Sequence, residues 1–403
     1  MVEWKEYRIK DLGEVVTGNT PPTSNREYYG TEYKFIKPTD MVEGQRFVST
    51  TEEYYSELAY QKYKKCLLPP KTPCVVTIGS LGKKMCLTDT ECFTNQAVNA
   101  VIPNKENDGE FLYYAFKASV LAYVKQLDSG TTSGRENVSK SSFSKIKVRV
   151  PPLPTQQKIA SILSAYDNLI QNYKKQIEAL QTAASELYKE WFVRFRFPGY
   201  QTTKFENGIP EGWKVYRIKD LCYINKKTVS SKDAKKEILY LDTGSITENV
   251  IDSFESYILE EAPSRARRIV KKNSIIFSTV RPNQNHYGIL KTVPENLIVS
   301  TGFAVFDPKF DIANILYFFL SSKDFVDYCQ MIAEGAVATY PSIKPEEIGK
   351  VKILLPTMDL AIKLNHSFES LFLRIENLKQ QITNLTQQRD LLLPRLMSGK
   401  LEV

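Results

Sequence analysis

Apolar residues recur every three or four positions in two long stretches of the chain, from Leu163 to Trp191 and from Phe368 to Leu396. Steps that alternate between three and four residues form the a/d seam of a coiled coil. The pattern predicts two long helices whose seam residues are Tyr166, Ile170, Tyr173, Ile177, Leu180 and Leu187 in the first, and Leu371, Ile375, Leu378, Ile382, Leu385 and Leu392 in the second.

The remaining segments alternate short β-rich runs with Gly, Pro and Asn loops, which predicts α/β (α+β) globular domains. In the first domain we expect a helix at 111–127 and strands at 34–36, 74–78, 97–102 and 145–150. In the second we expect strands at 238–241, 274–278 and 299–306. The predicted divisions are 1–150 and 200–355 for the globular domains, with helical segments at 151–199 and 356–403.

The first long helix has recognisable end signals. Thr155 is a plausible N-cap after Pro151-Pro152-Leu153-Pro154, and Pro198-Gly199 would stop the helix. A helix from Gln156 to about Phe192 would be on the order of 55 Å long at a rise of about 1.5 Å per residue.

The chain repeats itself. Trp4-Lys5-x-Tyr7-Arg8-Ile9-Lys10-Asp11-Leu12 recurs as Trp213-Lys214-x-Tyr216-Arg217-Ile218-Lys219-Asp220-Leu221, and Leu371 stands 205 residues after its seam counterpart Tyr166. Two copies of one unit predict a pseudo-two-fold internal repeat, in which the long helices form an antiparallel coiled coil. The alternative is that each helix packs only on its own globular domain.

Composition adds few constraints. A chain of 403 residues with 42% hydrophobic content can fill two cores, and a net charge of +8 permits nucleic-acid binding without requiring it. Neither a signal peptide nor an apolar stretch of membrane-spanning length is evident, so we expect a cytoplasmic protein with no membrane contact.

Catalytic and cofactor motifs are missing from the sequence. Gly13 to Thr20 has the glycine spacing of a phosphate loop but Asn19 where the lysine belongs, and no Asp/Asn-Pro-Pro-aromatic tetrapeptide of a base methyltransferase occurs. Buried reduced thiols are favoured over a zinc site formed by Cys66, Cys74, Cys86 and Cys92. We therefore expect a reader or scaffold with no catalytic residue, no metal and no cofactor of its own.

Several motifs in a fixed order resemble the specificity subunit of type I restriction-modification systems, and the resemblance covers the whole chain. They are Thr17-Gly18-Asn19-Thr20-Pro21-Pro22, Glu27-Tyr28-Tyr29-Gly30, Phe35-Ile36-Lys37-Pro38-Thr39-Asp40-Met41, Ser129-Gly130-Thr131-Thr132, the segment from Pro151 to Ala160, Trp191-Phe192-Val193-Arg194-Phe195, Pro210-Glu211-Gly212-Trp213, and the segment from Leu393 to Leu401.

The resemblance implies a non-catalytic subunit with two target-recognition domains, each of which reads one half of a bipartite double-stranded DNA site. The helix pair would set the gap between the halves. The expected partners are two adenine-N6 methyltransferase subunits, which use S-adenosylmethionine, and restriction/translocase subunits, which use ATP and Mg²⁺. The second copy lacks a counterpart of Thr17 to Pro21 and of Gln156-Gln157, so the two domains should read different sequences.

Base edges are read by Arg, Lys, Asn and Gln, while small polar residues and cations bind phosphates. His286 is expected to form hydrogen bonds rather than to bind metal, and Trp191 and Phe192 are candidates for meeting a partner subunit. The candidate DNA contacts are Asn19, Thr20, Lys37, Ser80, Lys83, Lys84, Thr131, Ser133, Arg135, Asn137, Arg281, Asn283, Gln284, Asn285, Thr339 and Tyr340.

A stand-alone structural DNA-bridging protein is the alternative function, because it would need the same repeat and the same basic loops. A nuclease or methyltransferase has little support in the motifs.

Overall fold

The computed structural model describes residues 3–127, 137–230, 236–335 and 341–403, and the chain divides into two compact units. The first unit combines Met1–Lys174 with Lys379–Val403, and the second is Lys175–Leu378. Both long helices continue across a unit boundary, so each unit contains one part of each helix.

The first unit has a mixed sheet and an antiparallel sheet. The antiparallel sheet has the order β2-β8-β5-β6, β3 lies between β4 and its parallel neighbour β7, and β1 pairs with β9. The strands are β1 (Lys5–Arg8), β2 (Gly13–Thr17), β3 (Tyr29–Ile36), β4 (Glu53–Tyr55), β5 (Pro73–Val76), β6 (Met85–Leu87), β7 (Cys92–Thr94), β8 (Val98–Pro103) and β9 (Lys147–Val150).

Helices cover the antiparallel sheet of this unit. The expected helix at 111–127 is confirmed, with a π-turn at Phe116–Val120 between α3 and α4, and the Asp108 side chain caps it by accepting a hydrogen bond from the Phe111 N–H at 2.8 Å. The helices are α1 (Ile9–Leu12), α2 (Glu57–Tyr63), α3 (Gly109–Ala115), α4 (Leu121–Gln126), α5 (Lys140–Lys145) and the long α6 (Leu153–Phe192).

The second unit repeats the plan. Its antiparallel sheet has the order β13-β22-β19-β20, its mixed sheet has the order β17-β14-β21-β18 with β14 parallel to β21, and β12 pairs with β23. The strands are β10 (Phe205–Glu206), β11 (Ile209–Pro210), β12 (Lys214–Arg217), β13 (Cys222–Ile224), β14 (Glu237–Leu241), β15 (Ile246–Thr247), β16 (Val250–Ile251), β17 (Glu255–Ile258), β18 (Ala266–Ile269), β19 (Ile275–Ser278), β20 (Tyr287–Ile289), β21 (Leu297–Ser300), β22 (Phe303–Pro308) and β23 (Lys352–Leu355).

The repeated sequence motif has the same structure in both units. A strand is followed directly by one helical turn, as β1 and α1 in the first unit and as β12 and α7 in the second, and Ile9 and Ile218 are both fully buried. The helices of the second unit are α7 (Ile218–Leu221), α8 (Ala313–Leu320), α9 (Lys323–Glu334), α10 (Pro345–Lys350) and the long α11 (Met358–Met397).

Two details of the predicted elements are wrong. The run 299–306 is two strands in different sheets, because β21 ends at Ser300 and β22 begins after the Thr301-Gly302 turn. The helix α6 begins at Leu153, so Thr155 lies inside it, and the N–H groups of Thr155 and Gln156 both donate to Pro152 O. A proline near the start of a helix costs little, because the first N–H groups have no intrahelical acceptor.

The start of one long helix shares a core with the end of the other. In the first unit, Ile159 and Leu163 of α6 belong to the same buried cluster as Leu396 of α11. In the second unit, Tyr188 of α6 and Phe368 of α11 belong to one buried cluster. The long helices therefore pack together antiparallel, and their ends also complete the cores of the globular domains.

The seam positions are shielded from solvent. Ile170, Ile375 and Leu378 are buried, and the other predicted seam residues are half-buried. Trp191 is also buried, with its ring centroid 6.3 Å from that of Phe197, and it belongs to the core of the second unit together with Trp213. Among the described residues no helix is long and apolar enough to cross a membrane.

Candidate nucleic-acid interface

Four strand ends meet along one edge of the first unit. The strands β2, β3, β5 and β7 end there, and backbone hydrogen bonds join the loops that follow them. Asn19 N donates to Thr94 O at 2.9 Å, and Thr77 N donates to Ala97 O at 2.8 Å. The segment after residue 136 joins the same edge, because Val138 N donates to Thr77 O at 2.8 Å.

This first edge brings together five of the predicted DNA contacts from distant parts of the sequence. Asn19, Thr20, Ser80 and Lys83 are exposed there, and Asn137 is half-buried where it forms a β-bridge with Ile78. Two glycines shape the loop of Ser80 and Lys83, since Gly79 and Gly82 have φ values of +86° and +72°. Other residue types rarely adopt that backbone conformation.

Two of the predicted lysines have protein partners in the structure. Lys37 Nζ lies 2.8 Å from Glu52 and 3.1 Å from Glu53. Burial alone would lower the pKa of Lys37, but these hydrogen bonds outweigh it and raise the pKa. Lys84 Nζ donates to Pro38 O at 2.8 Å. Both lysines therefore hold the loops of the first edge together, and direct DNA contact by either remains a prediction.

The glycines of the phosphate-loop-like segment have a packing role. A Cβ atom added at Gly13 would lie 2.1 Å from Ile102 O, and one added at Gly18 would lie 2.0 Å from Thr94 O. Glycine is needed at both positions because the neighbouring backbone approaches too closely for any side chain.

The Tyr55 hydroxyl also supports the first edge. Burial raises the pKa of the Tyr55 phenol, so the hydroxyl remains neutral and donates a hydrogen bond to Asn19 O.

The second unit has an equivalent edge with two of the same backbone bonds. Thr279 N donates to Gly302 O at 2.8 Å, and Ile343 N donates to Thr279 O at 2.9 Å. These repeat the Thr77–Ala97 and Val138–Thr77 bonds of the first unit. The side chains that the two edges display are different.

The loop from Arg281 to Asn285 stands out on the second edge. Arg281 and Asn285 have φ values of +46° and +57° on either side of a 3-10 turn at Pro282–Gln284. Arg281 N donates to Pro341 O at 2.9 Å, and Asn283 N donates to the Gln330 side chain of α9 at 3.2 Å. These contacts fix the backbone while the side chains of Arg281, Asn283 and Gln284 remain exposed.

Neighbouring polar side chains also have structural roles. The Asn285 amide donates to Glu248 at 2.9 Å, and His286 Nδ1 lies 2.6 Å from Ile246 O, so both side chains brace the loop. Thr131, Ser133, Arg135, Thr339 and Tyr340 lie outside the described residues.

Sequence reasoning missed some members of these edges. Gln96 is exposed and hydrogen-bonds with Thr20, and Gln330 supports Asn283 from a helix that the sequence did not mark as part of the site. Exposed Arg265 also reaches the second edge, since its carbonyl oxygen accepts from Thr301 N at 2.8 Å. Arg265 was not missed, because the basic run at residues 265–268, with Lys271 and Lys272, is a candidate for phosphate contact in the sequence, with solvated surface as the alternative.

The cysteines are free thiols, and five of the six are buried. Burial raises the pKa of Cys222 and of Cys329 to about 12, which keeps these thiols protonated. Within the described ranges, no three potential metal ligands come together.

Comparisons with known proteins agree with this arrangement. A family model for the type I restriction modification DNA specificity domain matches residues 1–182 and 210–388. The chain is 28% identical over 423 residues to the MjaIX specificity subunit of Methanocaldococcus jannaschii, covering all of this chain and 94% of that protein. Over 42% of this chain and 38% of the relative, it is 35% identical to the HindI specificity subunit of Haemophilus influenzae.

A solved structure shows the same fold. The S subunit of a type I restriction-modification system from M. genitalium superimposes with a TM-score of 0.63 at 17% identity, covering 98% of this chain and 96% of that one. With two matches of the family model and a full-length relative, this chain belongs to the specificity subunits of type I restriction-modification systems, the non-catalytic subunits that recognise the DNA target.

Proposed function

We propose that each of the two edges reads one half of a bipartite double-stranded DNA target. The observation that carries this proposal is one backbone arrangement that occurs twice with different side chains. Ser80 and Lys83 stand on the first edge, and Arg281 and Asn283 stand on the second. Arg and Asn can each form two hydrogen bonds to a base, to guanine and adenine respectively, which suits them to discriminate between sequences.

Cations near the second edge suit the phosphate backbone. Lys226, Lys227 and Arg265 are exposed and come from segments next to the ends of β13 and β21. Phosphate contacts of this kind set the position of a protein on DNA but carry little sequence information. We assign base reading to the loop of Arg281 and Asn283, and positioning to these cations.

The paired helices α6 and α11 would set the gap between the half-sites. Both are uninterrupted over 40 residues, which corresponds to about 60 Å at a rise of about 1.5 Å per residue. In functional terms, residues 1–150 and 200–355 are the recognition domains, and 151–199 and 356–403 are the spacer segments.

The partners follow from family membership. We infer that the chain recruits two adenine-N6 methyltransferase subunits that use S-adenosylmethionine, and restriction/translocase subunits that use ATP and Mg²⁺. The assembly would act in the cytoplasm, where the cell's DNA is accessible to it.

An in vitro methylation assay tests this proposal. The purified chain, the methyltransferase subunit and their mixture are each incubated with plasmid DNA and labelled S-adenosylmethionine. Sequence-specific methylation is expected only from the mixture. Methyl transfer by the chain alone, or the same methylated sites without the chain, would overturn the proposal. Tight DNA binding with no effect on methylation would instead support the DNA-bridging function.

A further inference from the structure

A buried ionic network joins the two long helices in the first unit. Arg389 Nη1 of α11 lies 2.6 Å from Asp167 Oδ1 of α6, and the two side chains are only 10% and 9% exposed. The Tyr114 hydroxyl of α3 donates to the other carboxylate oxygen of Asp167 at 2.6 Å. The Asp167 carboxylate therefore has a partner on each oxygen.

The second unit has apolar residues at the corresponding positions. Phe318 stands 204 residues after Tyr114, and Phe372 stands 205 after Asp167, the same offsets that relate the two copies elsewhere. Ala184 stands 205 residues before Arg389. All three are in one hydrophobic cluster, in which the ring centroids of Phe318 and Phe372 are 6.0 Å apart.

This difference makes the helix surfaces non-equivalent. If α6 paired with a second copy of itself, Asp167 would face Ala184 where it now meets Arg389. If α11 paired with a second copy of itself, Arg389 would face Phe372. The α6–α6 pairing leaves the buried Asp167 carboxylate with the Tyr114 hydroxyl but no cation, and the α11–α11 pairing leaves Arg389 with only the exposed Asp390 of its own helix. Loss of one member of a buried ion pair is strongly unfavourable, whereas the α6–α11 pairing keeps both members together. A buried polar group of this kind can determine which helices associate.

A second difference between the copies lies within each half of the chain and does not depend on how the halves pair. Arg46 lies 2.9 Å from Glu110 of α3 and 3.1 Å from Asn168 of α6. The counterparts of Glu110 and Asn168 in the second unit are Asn314 and Leu373, which offer no such acidic and amide pair. That unit instead joins Lys291 to Glu369 of α11.

We propose that the Arg389–Asp167–Tyr114 network makes the pairing heterotypic, so that each half of the chain binds the complementary half and excludes a second copy of itself. The helix surface that carries Asp167 therefore binds a helix with an arginine at the facing seam position, as Arg389 of α11. It does not bind a helix with an alanine at that position, as Ala184 of α6.

The test uses the complete chain with a protease site inserted after Gln201, in an exposed turn. The folded protein is cleaved, unfolded and refolded, and native mass spectrometry counts the pairs. For the wild type, heterotypic pairs should exceed all homotypic pairs by about tenfold or more, since every homotypic pair loses the buried Arg389–Asp167 ion pair. The proposal would be overturned if homotypic pairs made up about half of all pairs, as random association of the halves predicts. It would also be overturned if the wild-type halves did not pair at all.

Two symmetrised variants complete the test. Tyr114→Phe, Asp167→Phe and Arg389→Ala together make both sites apolar, and Phe318→Tyr, Phe372→Asp and Ala184→Arg together make both sites ionic. In each, about half of the pairs should be heterotypic, as expected for equivalent surfaces. The exposed control Arg374→Ala should behave as the wild type. If either symmetrised variant refolds and its share of heterotypic pairs stays at the wild-type level, the network does not select the partner.

Discussion

The side-chain carbonyl oxygen of Gln156 accepts a hydrogen bond of 2.9 Å from the backbone N–H of Asp108, the residue that caps α3. The Gln156 amide also donates to Pro151 O at 2.9 Å and to the Asn107 side chain at 3.2 Å. Gln156 is 1% exposed. This one side chain fixes the start of α6 against the globular domain of the first unit.

Replacement of Gln156 by alanine should destabilise the chain. Asp108 N–H and the other partners would lose their hydrogen bonds in a site that excludes water, at a cost of about 1–3 kcal/mol. The neighbouring Gln157 is exposed, so Gln157→Ala should stay within about 0.5 kcal/mol of the wild type. Urea unfolding of the three proteins provides the comparison, and equal midpoints for both variants would contradict the role assigned to Gln156.

The second unit should show a distinct acid dependence through Glu369. Burial alone would raise its pKa, but hydrogen bonds from Lys291 and Asn314 lower it below the ordinary value of 4.5. A carboxyl group with a lowered pKa in the folded state contributes stability above the unfolded value, and that stability is lost as the pH falls through the folded pKa.

Glu369→Gln should therefore be less stable than the wild type near neutral pH, and the gap should narrow as the pH falls below about 4.5. Thermal unfolding measured across this range tests the prediction. The exposed residue Glu295 provides the control, because Glu295→Gln should leave the pH profile unchanged. A gap that stays constant with pH would show that the ionised Glu369 carboxylate is not the source of the stability.

The loop of the second edge should determine only one half of the target. Arg281→Gly removes the side chain but tolerates the positive φ, and Asn283→Ala removes the amide. Each true base contact should account for about 1–3 kcal/mol of discrimination, so the methylated motif should relax at one half-site. Lys323→Ala, on the exposed face of α9, is the control. Equal relaxation of both half-sites would indicate a general structural defect.

Lengthening both helices tests their role as a spacer. Four residues would be inserted after Lys174 in α6 and four after Leu378 in α11, at the boundaries between the units. Each insertion adds about 6 Å and roughly 40° of net rotation. Coiled coils accept a four-residue stutter, so the pair should persist. The methylated motif should gain one or two spacer base pairs while both half-sequences stay the same. An active variant with the original gap would contradict the spacer role.

Much of the fold is visible in the sequence because its signals are periodic or repeated. The seams of α6 and α11 follow from heptad spacing, and the strand-turn unit at Ile9 recurs at Ile218. The sheet change at Thr301-Gly302 could not be predicted, because β21 and β22 are both buried on both faces and form one apolar run.

The loss of the Gln-Gln pair in the second copy has a structural explanation that spacing alone does not reveal. In the second unit Asn365 takes over the role of Gln156, since its side-chain oxygen accepts from Asn314 N at 2.9 Å. Asn365 lies one helical turn further along its helix than the position equivalent to Gln156, so an offset of 205 residues does not find it.

The ion pairs of Lys37 could not be predicted from the sequence either. Its partners Glu52 and Glu53 lie in a different loop and strand, and the sequence does not distinguish a paired lysine from an exposed one.

Mapping of N6-methyladenine in a host tests the central claim most directly. The chain is expressed with its methyltransferase partner, and the genome is compared with that of cells that express either protein alone. The account predicts a bipartite motif, two defined half-sites around a fixed gap, that is methylated only when both proteins are present. Methylation without this chain, or a continuous motif with no gap, would contradict it.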